Sequence, residues 1–124
     1  EYFSFEDVIS SPKPLQHPCP KISVGGNKRV ALRRVAQFGD GWHPLMLTPD
    51  GVRDRLDTLR AEADRLGRPE VTQEIQVRLD MSQINPGTVD AFAEAGATGL
   101  VLGLSTDDVD RVRREIDLFA GAML

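Results

Sequence analysis

Apolar positions along the chain recur in two periods, and the switches between them predict four strands, each followed by a helix. Pro12, Pro14, Pro18 and Pro20 hold the first segment extended. A short apolar strand, Ile22-Ser23-Val24, then stops at Gly25-Gly26. A helix is predicted from about Lys28 to Phe38, with Ala31, Leu32, Val35 and Phe38 on one face. Arg29, Arg33 and Gln37 form a polar stripe on the other. Gly39-Asp40-Gly41 turns the chain into a second strand, Trp42 to Met46.

Thr48-Pro49 reads as an N-cap followed by proline at the first helical position. The helix it opens aligns Val52, Leu56, Leu59, Ala63 and Leu66 and ends at Gly67. From Glu74 to Asp80 the pattern changes to strict alternation, with Ile75, Val77 and Leu79 on one face and Gln76, Arg78 and Asp80 on the other. Asn85-Pro86 opens a short helix carrying Val89, Phe92 and Ala93, closed by Gly96. The fourth strand, Gly99 to Leu104, is continuously apolar, the pattern of a parallel strand covered on both faces. Ser105 or Thr106 is placed to cap a last helix with Val109, Val112, Ile116 and Phe119 on its apolar face.

Strand–helix alternation with no hairpin signal predicts an α/β fold with a parallel sheet and right-handed crossovers. Four units in 124 residues give about 31 residues each, close to the spacing of a (β/α)8 TIM barrel of roughly 250 residues. The four β-α units are therefore read as half a barrel, with an open doubly wound sheet as the other arrangement that fits.

Composition narrows the class. With 40% hydrophobic and 27% charged residues the chain has what a folded core needs, and its length allows one domain at most. A net charge of −4 argues against a nucleic-acid partner. No apolar run reaches the roughly 20 residues that span a bilayer, and no signal-peptide pattern is present. Cys19 stands alone, which fits a reducing, cytoplasmic setting. Glu1 in place of an initiator Met is read as the mark of a processed product or a piece of something longer.

Gly25-Gly26-Asn27-Lys28 carries the sharpest local chemistry. Two glycines between a strand and a helix let backbone N–H groups approach a phosphate, and the helix N-terminus and Lys28 add positive charge there. The plainer reading is a tight turn. Trp42 is read as core or as the wall of a pocket, and His43 as structural or as a general base. No metal site is expected: His17 and His43 are far apart, and Asp107-Asp108 read as acidic first-turn residues of the last helix. Arg78 and Asp80 require partners if they face a barrel interior.

The ordered pieces Lys13-Pro14-x-Gln16-x-Pro18-x-Pro20-x-Ile22-x-Val24-Gly25-Gly26, Ala31-Leu32-Arg33-Arg34-x-Ala36, Gly39-Asp40-Gly41-Trp42 and Gly67-Arg68-Pro69 resemble the luciferase-like monooxygenase superfamily. The likeness covers residues 12 to 69 by motif and the rest by strand–helix pattern. Lys21 stands where the family usually has a second proline, and Asn27-Lys28 where small hydroxyl residues are frequent.

The resemblance implies a domain at 1–124 corresponding to the C-terminal half of a (β/α)8 barrel, and the cofactor coenzyme F-420 or FMN. It implies that Gly25, Gly26 and Asn27 donate backbone N–H groups to the cofactor phosphate, with Lys28 an addition. Leu45 and Met46 would lie near the same phosphate or the ribityl chain. The function expected is part of a flavin or deazaflavin oxidoreductase acting on a small-molecule substrate. The N-terminal half, or a second copy, would complete it. Other readings are a non-catalytic half-barrel acting through association and a phosphate-binding module for another ligand.

Overall fold

The computed structural model describes residues 4–9, 11–68, 74–104 and 107–123. Its elements alternate: β1 Ser23–Gly25, α1 Arg29–Phe38, β2 Gly41–His43, α2 Pro49–Arg65, β3 Gln76–Asp80, α3 Pro86–Glu94, β4 Gly99–Gly103 and α4 Val109–Met123. A 3-10 turn, Met81–Gln83, follows β3. The predicted second strand runs to Met46, but Pro44 interrupts it because proline has no N–H to give to a ladder. Pairing resumes beyond it: Leu45 bridges Arg78, and the Met46 N–H donates to Arg78 O at 2.8 Å.

Every strand pair among the described residues is parallel. β1 pairs with β2 and β3 with β4, and the bridges Trp42–Ile75 and Leu45–Arg78 join the two pairs in one register. The spatial order therefore follows the chain order.

The core lies on one side of this layer. Trp42, Ile75, Val77 and Leu79 pack against Leu32, Val35 and Ala36 of α1, Val52, Leu56, Leu59 and Ala63 of α2, and Phe92 of α3. The two-residue period sends Gln76, Arg78, Asp80, Gly99, Val101 and Gly103 to the opposite face. A doubly wound sheet has a strand-order reversal and helices on both faces. The described residues show neither.

The same one-sidedness corrects the reading of β4. Its face toward the helices is half-buried, but Val101 on the other face is 37% exposed, so the strand is not covered on both sides. α4 is loosely seated for a related reason: Phe119 is half-buried near α3, while Val109 and Ile116 remain exposed. Phe38 is also exposed, because α1 buries the stripe Leu32, Val35 and Ala36.

Helix ends follow the predicted chemistry where the described residues include them. Thr48 Oγ1 accepts from the Gly51 N–H at 3.1 Å, and Asn85 Oδ1 accepts from the Thr88 N–H at 3.0 Å. Gly67 and Gly96 adopt φ +68° and +96°, as left-handed helix stops should. Ser105, Thr106 and Pro69 lie outside the described residues. The cap of α4 is Asp108, whose Oδ1 accepts from the Arg111 N–H at 2.8 Å, so Asp108 precedes the first turn and does not belong to it.

The stripe of α1 is not simply solvated. Arg29 Nη2 and Arg33 Nε approach Glu62 Oε1 of α2 at 3.5 and 3.8 Å, and Arg65 binds the other carboxylate oxygen. The Arg65 hydrogen bond, aided by Arg29 and Arg33, holds the Glu62 carboxyl below its ordinary pKa against the opposing effect of desolvation. A lowered folded pKa contributes stability above the unfolded value, and this is lost as pH falls through the folded value. Urea melts of wild type and Glu62→Gln should therefore differ most near neutrality and converge below the ordinary glutamate range.

Candidate functional site

The ends of β1 and β2 bring together all six residues expected at the phosphate site. β1 finishes at Gly25, and the Gly26 N–H donates to His43 O at 3.2 Å, carrying the β1–β2 ladder one residue further. Gly26 then turns the chain at φ +114°, a conformation L side chains rarely adopt. Its carbonyl accepts from Trp42 Nε1 at 2.8 Å. Trp42 is thus fully buried core and also a donor to the loop.

Asn27 is the tie between the two loops. Its Nδ2 donates to Leu45 O at 2.7 Å, and its Oδ1 accepts from the Leu45 N–H at 3.0 Å. The amide side chain thereby completes the backbone pairing that Leu45 lacks, and leaves the backbone N–H and the second Nδ2 hydrogen of Asn27 for a ligand. Asn27→Ala should cost about 1–2 kcal/mol, the usual range for losing two partly exposed hydrogen bonds. A urea melt measures it; an unchanged midpoint would show that the pairing contributes nothing.

Lys28 is the N-cap of α1 and makes no side-chain cap. Among the described residues, no acceptor takes the backbone amides of Asn27, Lys28, Arg29 or Val30. These amides begin a helix whose first turn carries no acidic residue, so the dipole there is uncompensated. Next to Leu45, Met46 sits exposed at φ +52°, its N–H bound to Arg78 O.

Arg55 of α2 completes the surroundings. Its Nε donates to Asn27 O at 3.0 Å and its Nη1 to Gly51 O at 3.0 Å. Sequence reasoning missed it, and no local signal marks it, because its partner lies 28 positions away. Arg68, noted only as part of Gly67-Arg68-Pro69, donates to Ala36 O and Gly39 O at the end of α1, at 3.2 and 2.9 Å. Asp40 matches Ile22 on both backbone groups, its Oδ2 accepting at 2.7 Å and its N–H donating at 2.8 Å. These contacts hold the Gly39-Asp40-Gly41 turn against the start of β1.

The remaining candidates are dispersed. His43 is half-buried on the open face, while His17 is exposed in the proline-rich approach. Asp80 is engaged by its own turn, accepting from the Ser82 hydroxyl at 2.7 Å and the Ser82 N–H at 2.9 Å. Those bonds hold its carboxyl below the ordinary range. Among the described residues, no group of three or more His, Cys, Asp or Glu is placed to hold a metal ion, and no helix is long and apolar enough to cross a membrane.

Two comparisons with known proteins bear on this site. The luciferase-like monooxygenase family model matches residues 1–83, a stretch containing both loops. An FMNH2-dependent dimethylsulfone monooxygenase from Pseudomonas putida is 32% identical over 63 residues, covering 51% of this chain. The chain spans only 17% of that relative's length.

Proposed function

The chain belongs to the luciferase-like monooxygenase family, and from that premise we propose that it is part of a flavin-dependent oxidoreductase whose cofactor phosphate it holds. The observation that carries this reading is the run of backbone amides from Asn27 to Val30 that no acceptor takes among the described residues, opening after the turn at Gly26.

A phosphate dianion requires convergent N–H donors and positive charge. The loop offers the backbone amides, the start of α1 and the exposed Lys28. Gly25 and Gly26 keep side-chain bulk away, and Leu45 is tied to the loop through the Asn27 side chain, with Met46 next to it. FMN is the cofactor we assign over F-420, because the P. putida relative is described as FMNH2-dependent. When bound, the flavin supplies the redox chemistry. The residues described here contribute phosphate binding, and through it the placement of the ring.

We read the one-sided layer as half of a (β/α)8 barrel. Sequential strand order with helices on one face is the winding a barrel requires. The open face carrying His43, Gln76, Arg78 and Asp80 would then line the interior, where further strand–helix units or a second copy and a small-molecule substrate complete the site.

Titrating this chain with FMN, riboflavin and F-420 tests the assignment. FMN should bind at least tenfold more tightly than riboflavin, which lacks the phosphate. Equal affinity for the two, or no FMN binding below about 1 mM, roughly −4 kcal/mol, would overturn it.

A further inference from the structure

Two consecutive carbonyls in the loop are each held by a side chain from another element. Trp42 Nε1 of β2 donates to Gly26 O at 2.8 Å, and Arg55 Nε of α2 donates to Asn27 O at 3.0 Å. In a trans peptide unit the C=O and the N–H of the next residue point in opposite directions across a rigid plane. Fixing Gly26 O therefore fixes the direction of the Asn27 N–H, and fixing Asn27 O fixes that of the Lys28 N–H. Trp42 is fully buried, so its bond comes from the core side and turns the following amide away from the core.

We propose that Arg55, seconded by Trp42, is a positioning residue for the phosphate loop: it orients the amides of Asn27 and Lys28 without touching the ligand. The inference rests on the phosphate reading above and adds the device that preorganises the site. Arg55 suits the role because its fork is anchored at two points. Nη1 binds Gly51 O at 3.0 Å within its own helix, leaving Nε aimed at Asn27 O. Preorganised donors bind an anion without the cost of ordering the loop at the moment of binding. A lysine keeps the positive charge but has no planar fork, so Arg55→Lys separates charge from orientation.

The test follows the backbone amides of the full chain by 15N–1H spectra during titration with inorganic phosphate. In wild type the Asn27 and Lys28 resonances should shift saturably. Arg55→Lys and Trp42→Phe, which keeps a buried ring but loses the N–H donor, should each raise the phosphate midpoint at least tenfold while circular dichroism reports a folded chain. A purely structural role would lower the melting temperature but leave the phosphate midpoint of the folded protein unchanged. That result, in either variant that folds, overturns the inference and leaves the cofactor assignment standing. If neither folds, Arg55→Gln, which keeps a shorter donor without the charge, is titrated in the same way; an unchanged midpoint in it also overturns the inference. No response in wild type removes the phosphate reading and the positioning role with it.

Discussion

Gly26→Val should lower stability by about 2–4 kcal/mol and abolish the response of the loop to phosphate. Backbone held in a region that L residues rarely occupy costs of order 1–3 kcal/mol, and Gly26 sits at φ +114°. Added to this is crowding: a Cβ there would lie 3.1 Å from the Ala31 Cβ, before the two valine methyls are placed. The residue cannot easily rotate to relieve either term. Its N–H is bound to His43 O and its carbonyl to Trp42 Nε1, so relaxation breaks one bond or the other. Gly25→Ala is the control, since a Cβ at Gly25 meets only His43 O, at 3.8 Å. Urea melts should show a large midpoint shift for Gly26→Val and less than about 1 kcal/mol for Gly25→Ala. Comparable losses in the two would mean that the backbone angle is not what makes Gly26 necessary.

The second large effect is expected at Gly41, at the other end of the same strand pair. A Cβ built there would stand 2.7 Å from Glu74 O and 3.1 Å from Glu74 Cβ, the first being a backbone atom that cannot swing aside. Glu74 O is also the acceptor for the Trp42 N–H at 2.9 Å, the first rung joining β2 to β3. The seam continues through the Trp42–Ile75 and Leu45–Arg78 bridges, with Arg78 N–H to Pro44 O and Met46 N–H to Arg78 O among its bonds. Gly41→Ala should therefore cost about 2–4 kcal/mol, combining overpacking with a stretched rung. Hydrogen exchange should quicken at Trp42, Arg78 and Met46 more than at the β3–β4 rungs. Uniform quickening would show that the seam opens only with the whole fold.

Much of the fold was legible because its signals are local. Alternation at Ile75, Val77 and Leu79 sets a strand whatever lies nearby, and all three are buried. Thr48-Pro49, Asn85-Pro86, Gly67 and Gly96 mark helix ends through their own backbone preferences, and each does so in the structure. The glycine loop was legible as a turn before strand and helix, for the same reason.

What surrounds the loop was not. The sequence reading gives a role to the backbone N–H of Asn27 alone, and nothing in it marks the closure of the side chain on Leu45, 18 residues away. Arg55 looks like one more polar residue of an amphipathic helix until α2 is set beside the loop. The apolar run from Gly99 to Leu104 implies cover on two faces, but cover depends on where other elements lie, and the described helices lie on one.

The sequence by itself determined the alternation of strands and helices, the turn at Gly25-Gly26 and the ordered motifs that place the chain in its family. Each depends on the torsional limits or periodicity of a few neighbouring residues. Only the tertiary structure decided which face of the sheet stays open and which donors hold the Gly26 and Asn27 carbonyls. Those depend on approach between segments many residues apart, and a hydrogen bond of about 3 Å has no counterpart in the spacing of letters along a chain.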